Sequence, residues 1–289
     1  MLAKTAHQIQ QQEDDQLLPA DAVSFLELEI TSFCQLKCTH CYSESGPHGG
    51  RGTMTTPDWE RVIDQAATLG IGAVQFIGGE PALDPDLPRL IRYALRAGLK
   101  VDVYTNLVHV TPELFELFSD PGVSLGTSWY SADPDKHAEV TGSRASYART
   151  KANIIEAVRR GIPVRAGIVE VVAGQDIAQA EAELRAMGVT SMHADRARGI
   201  GRAAGGREPV ISELCGRCGR GRAAIGLDGQ VTPCVLGRFL VTGNVREDHL
   251  GDILGGERWR QIVASVPPAG ACVSCQPADS NDCDPSRKP

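Results

Sequence analysis

The stretch "SFLELEITSFCQLKCTHC", residues 24–41, joins an apolar–polar alternation to three closely spaced cysteines. Residues 24–31 alternate as a β-strand does, and Cys34, Cys38 and Cys41 then fall on the loop that leaves it. A structural zinc site is tetrahedral and a disulfide joins a pair, so three thiols in this spacing complete neither by themselves.

Outward from this stretch the chain reads as alternating strands and helices. Thr56 and Pro57 supply an N-cap and first-turn signal, and Trp59, Val62, Ile63 and Ala66 follow at helical spacing. Strand-like "IGAVQFIG" (71–78) runs into Gly78, Gly79, Glu80 and Pro81. Leu87, Leu90, Ile91, Ala94 and Leu95 form a helical stripe closed by Gly98. Further strands are expected at 100–106, 122–130, 162–172 and 188–194, with helices at 111–118, 146–160 and 177–187. Six βα-type units of this kind predict an α/β fold, a parallel sheet, curved or closed, with helices outside. Binding residues are then expected where strands end and loops begin.

The 289-residue chain is 42% hydrophobic and 22% charged, which allows a real core. Its net charge of -7 gives no reason to expect nucleic acid or an anionic membrane as partner. No apolar run is long enough to cross a bilayer, and the polar tail at 1–23 lacks a signal-peptide core. A cytoplasmic protein is therefore expected. In that reducing compartment its nine cysteines read as metal ligands rather than disulfides. They are also segregated: none lies between Cys41 and Cys215, whereas Cys215, Cys218, Cys234, Cys272, Cys275 and Cys283 crowd the C-terminal part. The Gly/Arg-rich stretch "ADRARGIGRAAGGREP" (194–209) marks a boundary, read as a solvated linker in preference to an arginine-lined contact. The expected division is a tail at 1–23, a core domain at 24–210 and a cysteine-rich domain at 211–289, which needs metal to hold its shape.

A cube of four irons and four sulfides held by three thiolates leaves one iron open to a small molecule. Cys34-x3-Cys38-x2-Cys41 after the first strand of a βα barrel resembles the signature of the radical S-adenosylmethionine (radical SAM) enzymes. Gly78-Gly79-Glu80-Pro81, one βα unit later, looks like that family's "GGEP" motif. The resemblance implies a partial (βα)6 TIM-like barrel, and a 4Fe–4S cluster on Cys34, Cys38 and Cys41 with S-adenosylmethionine (SAM) chelating the open iron. It further implies reductive cleavage of SAM to a 5′-deoxyadenosyl radical, which takes a hydrogen atom from the substrate. Gly78, Gly79, Glu80 and Pro81 would then bind the methionine end of SAM, the glycines allowing close backbone approach. Asn106, at the end of the third strand, and Ser128, on the fourth, resemble polar positions near the SAM methionine or ribose. Arg165 and Glu170, on the fifth strand, either face the barrel mouth or pair on the surface. Zinc closed by His40 or His48 is the alternative use of the three thiols, with His48 the better placed.

The C-terminal cysteines resemble the auxiliary iron–sulfur extension of the same family, called SPASM in its full form and twitch in its short one. A turn at Gly229 would bring Cys218 and Cys234 to one cluster, completed by Cys272 and Cys275. Cys215 and Cys283 are then spare thiols or ligands of a second, incompletely ligated cluster. Two CxxC pairs, 215/218 and 272/275, also suit a zinc ribbon. Extensions of this kind commonly accompany modification of ribosomally made peptides by cross-linking, epimerisation or oxidation, and this tail looks most like such maturases. The resemblance also implies an electron donor such as flavodoxin or ferredoxin. Only about 23 residues precede the first strand, too few for a leader-peptide-binding domain, so a separate leader-binding protein is a further expected partner. Two rivals stand beside the peptide reading. One is a small-molecule radical SAM enzyme, either a sugar or cyclitol dehydrogenase or epimerase, or a molybdenum-cofactor-type cyclase. The other is a non-catalytic zinc scaffold.

Overall fold

The computed structural model describes residues 23–268. Six strands pair in chain order, every pair parallel: β1 (Phe25–Thr31), β2 (Ala73–Gly78), β3 (Lys100–Tyr104), β4 (Val123–Trp129), β5 (Val164–Glu170) and β6 (Ser191–Arg196). On the other side of β1 the sheet continues. β7 (Arg222–Ile225) pairs with β1 in parallel, and β8 (Gln230–Thr232) and β9 (Gly243–Asn244) add to it antiparallel. The order β6-β5-β4-β3-β2-β1-β7-β8-β9 leaves β6 and β9 at the two ends, so the described sheet does not close on itself. This is the expected partial barrel.

The alternation in β1 assigns its two faces. Leu26, Leu28 and Ile30 are buried in the main hydrophobic core. With them pack Trp59, Val62, Ile63 and Ala66 of α1 (Thr56–Thr68) and Leu87, Leu90, Ile91 and Ala94 of α2 (Leu87–Arg96). Glu27 and Glu29 point the other way and are equally buried. Register sets Glu27 beside Gln75, Gln75 beside Asp102, and Asp102 beside Ser124, so a polar layer crosses four strands. The apolar layer therefore lies between sheet and helices, and the inner face of the sheet is polar.

Two local expectations are corrected. The N-cap of α1 is Thr55 rather than Thr56, because Asp58 closes a capping box with it: the Asp58 carboxylate accepts from Thr55 N at 2.9 Å, and Thr55 Oγ1 accepts from Asp58 N at 3.4 Å. Beyond the expected α3 (Pro112–Phe118), α5 (Arg144–Arg159) and α6 (Ile177–Ala186) lies a helix the periodicity did not yield, α4 (Pro134–Thr141). Its signals are terminal rather than periodic. Asp133 accepts from Asp135 N at 2.8 Å and Lys136 N at 3.4 Å, Pro134 opens the first turn, and Gly142 ends it with φ 72°. This short helix matters for the cysteine loop. Lys37 N donates to Thr141 O at 3.3 Å and Thr39 N to Val140 O at 2.9 Å, so the last carbonyls of α4 carry the segment between Cys34 and Cys41.

Replacing the cap of α4, Asp133→Ala, is expected to lower global stability by about 1 kcal/mol, and Asp133→Asn by a few tenths at most. Urea unfolding followed by circular dichroism measures both.

Candidate active site at the barrel mouth

The loop after β1 is pinned from three sides. Gly79 N donates to Thr31 O at 2.6 Å and Glu80 N to Phe33 O at 2.8 Å, which seams the turn after β2 to the start of the cysteine loop. A Cβ on Gly79 would sit 2.2 Å from Phe33 O, and one on Gly78, whose φ is 126°, 2.2 Å from Thr31 O. The glycines are thus required by close approach to the cysteine loop itself. The second side is the α4 end. The third comes from the Gly/Arg-rich stretch: Arg202 Nε donates to Cys38 O at 2.7 Å, its Nη2 to Ser45 O at 2.8 Å, and its backbone N to Cys41 O at 3.0 Å. The reading of 194–209 as a solvated linker is therefore corrected, since Arg202 clamps the loop and Arg196, Arg198 and Arg202 line the adjoining cavity.

That cavity, about 360 Å³ in volume, receives Cys34, Cys38 and Cys41 together with Gly78, Gly79, Asn106 and Ser128. Glu80 and Pro81 do not line it. The Glu80 carboxylate is wholly buried and accepts from Thr105 Oγ1 at 2.6 Å, Asn106 N at 2.7 Å and Ala82 N at 2.9 Å. It ties the β2 turn to the end of β3 instead of facing the lumen. Burial outweighs those three donors and pushes its carboxyl up to about 7. Asn106 exchanges amide hydrogen bonds with Gln35, at 3.1 and 3.2 Å, and its Nδ2 lies 3.6 Å from Cys34 Sγ. Ser128 Oγ is 3.0 Å from the Tyr104 hydroxyl.

Burial pushes the Cys34 thiol up to about 11 and that of Cys38 up to about 12, in the latter reinforced by the nearby Cys34 and Cys41. Three clustered, unpaired thiols in a lumen that opposes bare thiolates suit a cationic metal centre, whose charge reverses that balance. Among the described residues no group of three or more His, Cys, Asp or Glu is arranged so as to hold a single metal ion. His40 lines the cavity, but burial depresses its imidazole to about 4, and its Nδ1 has no hydrogen-bond partner.

Cys215 and Cys234 open on the same cavity. Cys218 Sγ lies 2.7 Å from Cys234 Sγ, brought there by the β7–β8 hairpin with Gly229 in its turn at φ 84°. The Cys218 thiol also donates to Cys215, which holds Cys215 well below the ordinary thiol range and Cys218 well above it. Cys272, Cys275 and Cys283 lie outside the described residues. The polar side of β1 links the two cysteine groups. Glu27 accepts from Val235 N at 3.0 Å and pairs with Arg222 at 3.6 Å, while Glu29 pairs with Arg238 at 3.4 Å. These carboxylates went unassigned in the sequence because strand alternation separates two faces without saying which one is a lumen.

The radical SAM superfamily model matches residues 28–183, and a model for an iron–sulfur cluster-binding domain (SPASM) matches residues 215–276. The chain belongs to the radical SAM superfamily. It is 34% identical over 137 residues to a PqqA peptide cyclase of Ruegeria pomeroyi, covering 47% of this chain and 37% of that protein. It is 33% identical over 135 residues to an AdoMet-dependent heme synthase of Methanosarcina barkeri, covering 46% of this chain and 39% of that one. The matches thus span well under half the length of these curated relatives. The fold is similar to that of Streptococcus suis SuiB bound to S-adenosylmethionine, with TM-score 0.72 and 17% identity over 88% of this chain and 71% of the other.

Glu80 supplies a pH test. Its carboxyl titrates at about 7 in the fold against 4.5 unperturbed, so its stabilising contribution is complete below 4.5 and is lost as pH rises through 7. Between those limits the wild type is expected to lose up to about 3 kcal/mol relative to Glu80→Gln, measured by urea unfolding across the pH range.

Proposed function

We propose that this protein is a radical SAM enzyme that cleaves S-adenosylmethionine reductively and abstracts a hydrogen atom from a ribosomally synthesised peptide, leading to cross-linking, epimerisation or oxidation. One observation carries the reading: a single lumen receives the three cysteines of the β1 loop, the Gly78–Gly79 turn and, further along, Cys215 and Cys234. Cys34, Cys38 and Cys41 would hold a 4Fe–4S cluster. Bound there with SAM on its open iron, that cluster would supply the 5′-deoxyadenosyl radical. Gly78 and Gly79 present backbone to the cofactor's methionine end while pinning the loop, and Asn106 and Ser128 offer polar contacts. Glu80 and Pro81 act in the same site by shaping the turn. Cys215, Cys218 and Cys234, with Cys272, Cys275 and Cys283, are assigned to one or two auxiliary clusters.

The domain division remains 24–210 for the barrel and 211–289 for the auxiliary region, after the tail at 1–23. Similarity to PqqA peptide cyclases favours a peptide substrate, and the similarity to an AdoMet-dependent heme synthase keeps a small-molecule substrate as the second reading. A low-potential donor such as flavodoxin or ferredoxin, a separate leader-peptide-binding protein and a cytoplasmic location complete the proposal. Among the described residues no helix is long and apolar enough to cross a membrane.

Anaerobically reconstituted protein given SAM and dithionite is expected to form 5′-deoxyadenosine, read by chromatography. Cys38→Ala should abolish that product while leaving the circular dichroism spectrum unchanged. Product formation by the triple alanine variant of Cys34, Cys38 and Cys41 would remove the assignment.

A further inference from the structure

Between β6 and Cys215 the chain turns back to the cysteine loop at Gly201 and Arg202. Gly201, at φ 58°, lies so close that a Cβ there would sit 2.3 Å from Tyr42 O and 2.5 Å from Cys41 O. The next residue donates its backbone N–H to Cys41 O at 3.0 Å. Ile200 and Ala204, on either side, are buried, so the turn is anchored at both ends. From it the Arg202 guanidinium runs along the loop, donating Nε to Cys38 O at 2.7 Å and Nη2 to Ser45 O at 2.8 Å. The planar fork makes this contact with two carbonyls directional and holds the charge in one place.

Its neighbours in the segment use their charge differently. Arg196 pairs with Glu213 at 2.8 Å and Arg198 with Asp195 at 2.7 Å. The acceptors of Arg202 are carbonyl oxygens, so it brings positive charge to the loop rather than one half of an ion pair. That charge is felt among the thiols. Burial, with Cys34 and Cys41, raises the Cys38 thiol, and burial depresses the imidazole of His40; the charge of Arg202 opposes the first shift and adds to the second.

We propose that Arg202 is a positioning residue that acts through the cysteine loop: its fixed positive charge makes a 4Fe–4S cluster on Cys34, Cys38 and Cys41 easier to reduce. The inference rests on the reading that this loop holds such a cluster. Reduction adds one electron, taken from a low-potential donor, with no bond made or broken, and leaves the cluster more negative. A neighbouring cation therefore stabilises the reduced form more than the oxidised one, and net charge is among the factors that set such potentials. Solvent screens an exposed arginine, whereas Arg202 is half-buried and tied to the backbone that carries the thiols.

The test uses the full chain, anaerobically reconstituted and free of SAM, so that cofactor binding does not enter. Cluster reduction is followed by electron paramagnetic resonance during a redox titration, with the Cys34, Cys38, Cys41 triple alanine variant subtracted to remove auxiliary signals. Arg202→Gln removes the charge and keeps an amide donor. It is expected to shift the reduction equilibrium about tenfold toward the oxidised form, ~59 mV for a one-electron couple. Arg202→Lys keeps the charge and loses the fork, and is expected to stay within about twofold of wild type. Iron content and circular dichroism check that each variant is loaded and folded. If Arg202→Gln is not, the Lys variant decides, supporting the inference by staying near wild type and overturning it by falling with the full shift. A midpoint unchanged in Arg202→Gln overturns the inference. Equal shifts in the Gln and Lys variants also overturn it, since the clamp and not its charge is then the cause. An equal shift of the auxiliary signals, read in the triple alanine background, makes the effect global and overturns it as well. If the wild type shows no cluster signal in the difference, the cluster reading falls and this inference with it; a wild-type signal indifferent to residue 202 sinks the inference alone.

Discussion

The structure depends on a backbone seam. The turn after β2 hydrogen-bonds to the residues that lead into Cys34, and it can do so only because positions 78 and 79 carry no side chain. Without that approach the cysteine loop would stand off the sheet, and Cys34 would lose the amide of Asn106, which Glu80 fixes from the same turn. One short sequence thus does two jobs: its glycines admit the neighbouring chain, and its carboxylate gathers the donors at the end of β3. The loop's other supports, the α4 carbonyls and Arg202, come from distant parts of the chain, so the three thiols are held by most of the fold.

The polar lumen follows from the same arrangement. A fully apolar barrel interior is the commoner solution, filled by branched side chains. Here Glu27, Gln75, Asp102 and Arg165 line or underlie the lumen, and each is paired or hydrogen-bonded to another group. Buried charges of this kind are tolerated only when partnered, and the partnering joins β1 to the Cys234 segment and β3 to β5. Cysteines of both groups consequently open on one cavity.

Much of this was legible in the sequence. The βα alternation, the spacing of Cys34, Cys38 and Cys41, and the position of Gly78 to Pro81 gave the barrel and the family, because each is a local pattern with a local cause. The parts that escaped are those whose meaning is set by tertiary neighbours. Glu27 and Glu29 look like the wet side of a strand until β2 and β7 enclose them. Arg202 sits in a glycine-rich stretch with almost no apolar anchors, and only the folded chain shows that it clamps two carbonyls of the cysteine loop. Arg165 read equally well as a surface partner, and its aim is decided by Gly126 one strand away. Glu80 was read as part of a SAM-binding motif, and its carboxylate is taken up by Ala82, Thr105 and Asn106.

The most direct measurement is electron paramagnetic resonance of the dithionite-reduced, anaerobically reconstituted protein, taken as a difference against the Cys34, Cys38, Cys41 triple alanine variant to remove auxiliary signals. The account predicts a reduced-cluster signal in that difference whose g-values shift when SAM is added. A difference spectrum with no cluster signal, or one that SAM leaves unchanged, would contradict it.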